Sequence, residues 1–111
     1  MKLFCIGLFL GICLLSYSVQ DNLKITYYHY RGCSWCDKME KETLSDPEVK
    51  RALENVDFRS IDCTGHSLVR AYPCLVFSKG IPSRDVGIVY GYQTRSQMLT
   101  QIKYYKEISP R

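Results

Sequence analysis

Two cysteines separated by two residues constrain this chain more than any other feature. Cys33 and Cys36 come shortly after a segment rich in β-branched and aromatic residues, Leu23 to Tyr30, which predicts a strand closed by a turn at Gly32. The residues from Cys33 to Leu44 are good helix formers with apolar side chains at helical spacing. The sequence therefore predicts that the cysteine pair lies at a strand-to-helix junction, where the helix begins.

The N-terminus has the layout of a signal peptide. Lys2 precedes 13 uncharged residues, Leu3 to Leu15, and small residues follow at Ser16 and Ser18. The run is shorter than the roughly 20 residues that a helix needs to span a membrane. We expect a signal peptide over 1–18 and one domain over 19–111, exported to a periplasm, a secretory lumen or the medium and free of the membrane after cleavage. An uncleaved N-terminal anchor is the alternative.

Charge and length limit the classes of partner. After loss of residues 1–18 the chain keeps 14 Lys and Arg against 11 Asp and Glu, a net charge of +3. The basic residues alternate with acidic ones, so no basic stripe indicates a nucleic-acid partner. A domain of this size holds one modest core, and we expect a monomer.

The pattern of apolar residues predicts an α/β fold of order β-α-β-α-β-β-α. We expect a central mixed sheet of about four strands with helices on both faces. Asp46 and Pro47 predict a second helical start within the first helical region, because Asp caps helices and Pro suits their first position. The predicted strands are 23–30, 56–61, 74–77 and 85–90, and the remaining helices are a short one over 67–71 and a last one from 94.

A cysteine pair at a helix start suits thiol–disulfide exchange. The reaction needs a thiolate, whereas a free thiol with a pKa of about 8.5 is mostly protonated near neutral pH. The unpaired N–H groups and positive dipole of a helix start stabilise such an anion. Cys33 is therefore the predicted nucleophile, exposed at the surface, and Cys36 is the resolving cysteine, one turn later and facing inward.

The spacing alone leaves other chemistries open. The same Cys-x-x-Cys pair occurs as half of a zinc site and as a simple structural disulfide. The other two cysteines of the mature chain, Cys63 and Cys74, lack the close spacing usual for structural zinc, so we predict no metal site.

A later segment makes the pattern more specific. Tyr72 and Pro73 open the apolar strand that begins at Cys74, and a strand, a Cys-x-x-Cys helix start and such a proline together resemble the thioredoxin superfamily. Residues 33–42, CSWCDKMEKE, resemble exported thioredoxin-like proteins with a C-x-W-C-x-x-M-E motif.

The resemblance implies a thioredoxin-like fold and a redox-active Cys33–Cys36 disulfide. It further implies a cis Pro73 beside that pair, and backbone at Tyr72 that aligns a substrate peptide. Protein thiols or disulfides would be the substrates and an unidentified redox partner would recycle the pair, with no cofactor. The alternative is a non-catalytic thioredoxin-fold module that binds a ligand or handles metal.

Two departures from thioredoxin matter. Tyr27 stands where thioredoxin has a buried Asp on the strand before the motif, so the group that deprotonates Cys36 is unassigned. Ser34 and Trp35 between the cysteines supply no charge or imidazole, so the direction of the redox reaction does not follow from the motif.

Three positions have competing interpretations. Trp35 either contacts protein substrates or packs on a neighbouring loop. Cys63 and Cys74 are either auxiliary thiols or a second disulfide. In the fold that the resemblance implies, the first strand, 23–30, should lie between them, which sets them roughly 10 Å apart and disfavours a bond.

Overall fold

The computed structural model describes residues 22–108, which form four strands and three helices. In chain order the elements are β1 (Lys24–His29), α1 (Ser34–Glu42), α2 (Pro47–Ala52), β2 (Asp57–Asp62), β3 (Cys74–Lys79), β4 (Arg84–Tyr90) and α3 (Arg95–Glu107). The predicted signal peptide over 1–18 lies outside the described residues.

The sheet has the strand order β2-β1-β3-β4. β1 and β2 are parallel, as expected for strands joined through helices, while β1 with β3 and β3 with β4 are antiparallel. In this register Tyr28 lies between Ile61 and Cys74. The central position of β1 places the chain that leaves it, toward the cysteine pair, between the end of β2 and the start of β3.

The helix starts follow local sequence. The Asp46 carboxylate accepts hydrogen bonds from the backbone N–H groups of Glu48 and Val49, at 2.9 and 3.1 Å, and Pro47 occupies the first helical position. This confirms the predicted second helical start. At α3, Thr94 and Gln97 form a reciprocal capping box.

The hydrophobic core lies on one face of the sheet. Because side chains alternate along a strand, Ile25 and Tyr27 of β1 share a face with Leu75 and Phe77 of β3. All three helices supply buried side chains to this same cluster, namely Met39, Val49, Met98 and Ile102. We expected helices on both faces, whereas the three helices of residues 22–108 occupy one.

The difference arises in the connection between β2 and β3. The short helix predicted over 67–71 is not formed, and this segment is irregular backbone with bends. The element order is therefore β-α-α-β-β-β-α. The segment is too short to repay helix nucleation and runs into Pro73, which disfavours helical backbone at Tyr72. Instead the Leu68 N–H donates to the Tyr72 hydroxyl, which donates to the carbonyl of His66.

Candidate active site

The cysteine pair lies at the junction between β1 and α1, as predicted. Gly32 forms the turn with a φ of +93°, a conformation that favours glycine. Cys33 is the N-cap residue of α1, and its N–H donates to the Tyr30 carbonyl at 3.3 Å. The turn and the N-cap position together place the Cys33 side chain at the first turn of α1.

Cys33 and Cys36 are joined by a disulfide, with their Cα atoms 5.2 Å apart. The Cys36 N–H lies 3.1 Å from the Sγ atom of Cys33 and donates to it. Both residues are buried, Cys33 at 5% exposure and Cys36 at 1%. Cys33 is thus far less exposed than the prediction of a surface cysteine required. The position of its sulfur at the helix cap distinguishes it from Cys36.

Tyr72 and Pro73 lie at the same end of the sheet as the cysteine pair. The Tyr72–Pro73 peptide bond is cis, and Pro73 is buried, with its carbonyl accepting from the Gly91 N–H at 2.7 Å. The ring of Tyr72 meets that of Tyr30 edge to face at 5.0 Å, and Tyr30 in turn holds the N–H of Cys33. The start of β3 is therefore tied to the turn that presents the disulfide.

Trp35 packs on a neighbouring loop, one of the two interpretations considered for it, and stays half exposed. Its side chain packs on Tyr92 with ring centroids 5.8 Å apart, yet 55% of the residue stays exposed. The Lys38 ammonium lies over both rings, 5.3 Å from Trp35 and 4.9 Å from Tyr92, at distances that favour cation–π attraction. Glu42 accepts a 2.9 Å hydrogen bond from the Tyr92 hydroxyl and completes the cluster.

Comparison with solved structures identifies the architecture. The chain superimposes on a thioredoxin from Thermus thermophilus with a TM-score of 0.64 and 24% identity, over 75% of this chain and 72% of that one. A thioredoxin from Trichomonas vaginalis gives 0.62 and 20%, over 81% and 84%. The reduced C-terminal domain of DsbD from Neisseria meningitidis gives 0.60 and 18%, over 93% and 95%. The chain has a thioredoxin-like fold. No protein-family model and no curated protein matches it.

In this thioredoxin-like fold, Cys63 and Cys74 are two separate free thiols. They are 2% and 0% exposed. Burial raises the pKa of the Cys74 thiol above its usual range, and the nearby Cys63 raises it further. Cys74 pairs with Tyr28 across the sheet, and β1, which carries Tyr28, lies between β3 and the strand that Cys63 follows, β2.

A hydrogen-bonded group beneath α1 was not foreseen from the sequence. The hydroxyl of Tyr27 donates to the Glu40 carboxylate at 2.9 Å and lies 3.3 Å from the Cys36 carbonyl oxygen. Burial first, and then the hydrogen bond and charge of Glu40, raise the pKa of Tyr27 far above its ordinary value. The only sequence indication is that Glu40 follows Cys36 at helical i,i+4 spacing, which places both on one helix face.

Between 22 and 108, no three His, Cys, Asp or Glu side chains come close enough together to hold a metal ion. None of the helices in that range is both long and apolar enough to cross a membrane.

Proposed function

We propose that this protein is a thiol–disulfide oxidoreductase that acts on protein disulfides or dithiols through Cys33 and Cys36. The observation that carries the proposal is the cysteine pair at the N-terminus of α1, with the Cys36 N–H directed at the Cys33 sulfur. A donor and a helix dipole aimed at one sulfur favour its thiolate, which is the reactive species in exchange.

Cys33 acts as the nucleophile and Cys36 as the resolving cysteine. In the reducing direction the Cys33 thiolate attacks a substrate disulfide, forming a mixed disulfide and releasing one substrate thiolate. Cys36 then attacks Cys33, which releases the second substrate thiol and leaves the Cys33–Cys36 disulfide. The oxidising direction is the same sequence reversed, and a redox partner resets the pair in either case.

The proposed substrate contacts are an exposed aromatic side chain within the motif and the backbone at the start of β3. Trp35 offers a half-exposed indole held in place by Tyr92 and Lys38. On the other side, Tyr72 and Pro73 open β3, where backbone groups can pair with an extended peptide. A substrate cysteine in an extended segment with an apolar neighbour fits this arrangement.

The proposed location is an exported compartment, and the domain acts there as a monomer over residues 19–111. The support is the apolar run Leu3 to Leu15, with Lys2 before it and small residues after it. Retention of the run as an anchor would keep the same domain at a membrane surface. Sequencing the N-terminus of the exported protein distinguishes the two, because cleavage after Ser18 gives a new first residue at Val19.

Single cysteine variants test the activity. Cys33→Ser should abolish exchange with a disulfide-bonded test protein, whereas Cys36→Ser should accumulate mixed disulfides on Cys33 that mass spectrometry can identify. Cys63→Ala, which removes a buried thiol outside the motif, is the matched control and should exchange normally. Retained exchange in Cys33→Ser, or no trapped species in a folded Cys36→Ser, would refute the proposal.

A further inference from the structure

Two exposed cations lie on aromatic rings at the end of the sheet that carries the disulfide. The Lys38 ammonium lies 5.3 Å from the ring centroid of Trp35 and 4.9 Å from that of Tyr92. The Arg70 guanidinium lies 5.6 Å from the ring centroid of Tyr90. Lys38 belongs to α1 and Arg70 to the segment before β3, and both residues are exposed. Each charge is therefore held on an aromatic ring and remains accessible from solvent.

The end of β4 places the two tyrosine rings beside the active site. Tyr90 is the last residue of β4 and pairs with Cys74 of β3. The N–H of the next residue, Gly91, donates to the Pro73 carbonyl at 2.7 Å, and Tyr92 follows it. Tyr90 and Tyr92, each with its cation, therefore flank the backbone contact that holds Pro73.

Both cations are close in the chain to the groups proposed to meet the substrate. Trp35 lies between the two cysteines of the disulfide, and Lys38 is three residues further along α1. Residues three apart on a helix are neighbours on its surface, which brings the ammonium onto the indole. Arg70 precedes Tyr72, which opens β3, by two residues. A positive charge therefore lies on each side of the proposed substrate contacts.

The two cations keep their capacity to bind a carboxylate. In the described part of the chain, neither Lys38 nor Arg70 forms an ion pair with Asp or Glu. Glu42 instead accepts a hydrogen bond from the Tyr92 hydroxyl at 2.9 Å. Asp37 is adjacent to Lys38, and consecutive residues of a helix do not face each other. An aromatic face attracts the charge but leaves N–H groups free to donate to a carboxylate.

We propose that Lys38 and Arg70 are specificity-determining residues, which select substrate segments with acidic side chains on both sides of the reacting cysteine. The inference rests on the proposed function, because it names the substrate class of the same site. The acidic residues lie within a few positions of the substrate cysteine, since Lys38 is within one helical turn of the disulfide and Arg70 is two residues from Tyr72.

The expected size of the effect follows from the exposure of both cations. An ion pair at an exposed position changes a binding or rate constant by up to about fivefold. Two such pairs on one segment give a combined preference of roughly tenfold. Complementary charges across an interface act mainly on the rate of encounter and are screened by salt. The selection should therefore appear in the second-order rate constant and weaken as ionic strength rises.

Three peptides test the selection. Each contains one cysteine as a mixed disulfide with 5-thio-2-nitrobenzoate, and carries glutamate, glutamine or lysine two positions before and two positions after that cysteine. In the reduced protein the Cys33 thiolate attacks the peptide sulfur, which forms a protein–peptide disulfide and releases the coloured aromatic thiolate. Stopped-flow absorbance at neutral pH gives the second-order rate constant for each peptide. The ratio between two peptides is internal to each protein, so the intrinsic reactivity of Cys33 cancels from it.

Matched variants remove one positive charge at a time. Lys38→Met and Arg70→Met keep an unbranched apolar side chain and lose the charge. The controls are Lys41→Met, at an exposed position on the same helix, and Arg51→Met, at an exposed position on α2. Because all four substitutions lower the net charge equally, a difference between them reports the position of the charge.

Wild-type protein should react with the glutamate peptide about tenfold faster than with the glutamine peptide, and slowest with the lysine peptide. The preference should disappear as salt is raised from about 0.02 to 0.5 M. Lys38→Met and Arg70→Met should each lower the glutamate-to-glutamine ratio by about threefold, and the double variant should abolish it. Lys38→Glu should lower the ratio further than Lys38→Met. Lys41→Met and Arg51→Met should keep the wild-type ratio.

Two failures are distinguishable. A wild-type protein that reacts with every peptide no faster than glutathione does would refute the proposed function. Fast reaction at equal rates with the three peptides, or a wild-type ratio in the folded double variant, would overturn only the selection by charge. If the double variant does not fold, a wild-type preference that persists at 0.5 M salt overturns the inference instead.

Discussion

The backbone N–H of Cys36 donates a hydrogen bond to the Cys33 sulfur, 3.1 Å away, across the first turn of α1. A sulfur that caps a helix in this way receives both a donor and the positive end of the helix dipole. The Cys36 sulfur, one turn further on, lacks that position although its residue is also buried. The two cysteines of the pair are therefore distinguished by electrostatics more than by exposure.

Alkylation should follow this distinction. In the reduced protein, iodoacetamide at neutral pH should modify Cys33 first, while Cys63 and Cys74 stay unmodified. The Cys74 pKa is raised by burial and by Cys63, so its thiolate fraction at neutral pH is smaller than that of a free cysteine. Cys63 and Cys74 are also less accessible to the reagent than Cys33, at 2% and 0% exposure against 5%. Peptide mass spectrometry over time measures the order. The denatured protein is the control, in which Cys33, Cys36, Cys63 and Cys74 should react at similar rates. Modification of Cys74 as early as Cys33 in the folded protein would contradict the expectation.

Features that depend on neighbouring residues could be predicted from the sequence. The start of α2 follows from Asp46 and Pro47, and the structure has both in their expected roles. The parallel pairing of β1 with β2 follows from the helical connection between them, and the antiparallel pairing of β3 with β4 follows from the short loop that joins them. Both inferences need only turn chemistry, capping and the rules for joining strands.

Features that depend on packing between distant segments could not be predicted. The contact of Tyr27 with Glu40 requires the angle at which α1 lies on β1, which no local pattern specifies. Trp35 and Tyr92 meet only because the loop after β4 returns to α1. The helix predicted over 67–71 does not form for a related reason. The helix propensity of five residues is outweighed by Pro73 and by the hydrogen bond that the Tyr72 hydroxyl accepts from the Leu68 N–H.

Lys79 should contribute strongly to stability. It is 5% exposed, and its ammonium donates to the carbonyls of Tyr105, Lys106 and Ile108 at the end of α3. Lys79→Met keeps the length of the side chain but removes the donor, leaving helix-end carbonyls unsatisfied in a partly buried site. We expect a loss of about 1–3 kcal/mol in the free energy of unfolding, measured by urea denaturation.

The matched control is Lys103→Met, which removes a charge from an exposed position on the same helix. It should change the free energy of unfolding by less than about 0.5 kcal/mol. Equal effects of the two substitutions would show that the carbonyl contacts of Lys79 do not stabilise the helix end.

Gly87 leaves room for an aromatic ring. It faces Phe77 across the sheet, and the ring of Tyr105 stacks on Phe77 with centroids 4.3 Å apart. A Cβ at position 87 would overlap the Tyr105 hydroxyl and ring. Gly87→Ala should therefore lower the free energy of unfolding by about 1–3 kcal/mol. The same change in a Tyr105→Ala background should cost less, and equal costs in the two backgrounds would contradict the steric explanation.

Tyr27 should make the protein sensitive to alkali. Its pKa in the folded state is raised well above the ordinary value of 10.0, chiefly by burial, so the hydroxyl stays protonated where the unfolded chain would ionise. Below pH 10 the Tyr27 hydroxyl is protonated in both the folded and the unfolded state, so it adds no pH dependence to stability. Above pH 10 only the unfolded state loses this proton, and the free energy of unfolding falls by up to about 1.4 kcal/mol per pH unit. Urea unfolding at a series of alkaline pH values should show a shallower decline in Tyr27→Phe. Tyr104→Phe is the control, because Tyr104 is 57% exposed and should leave the wild-type slope intact. Identical slopes in all three proteins would mean that Tyr27 ionises in the folded state as readily as in the unfolded chain.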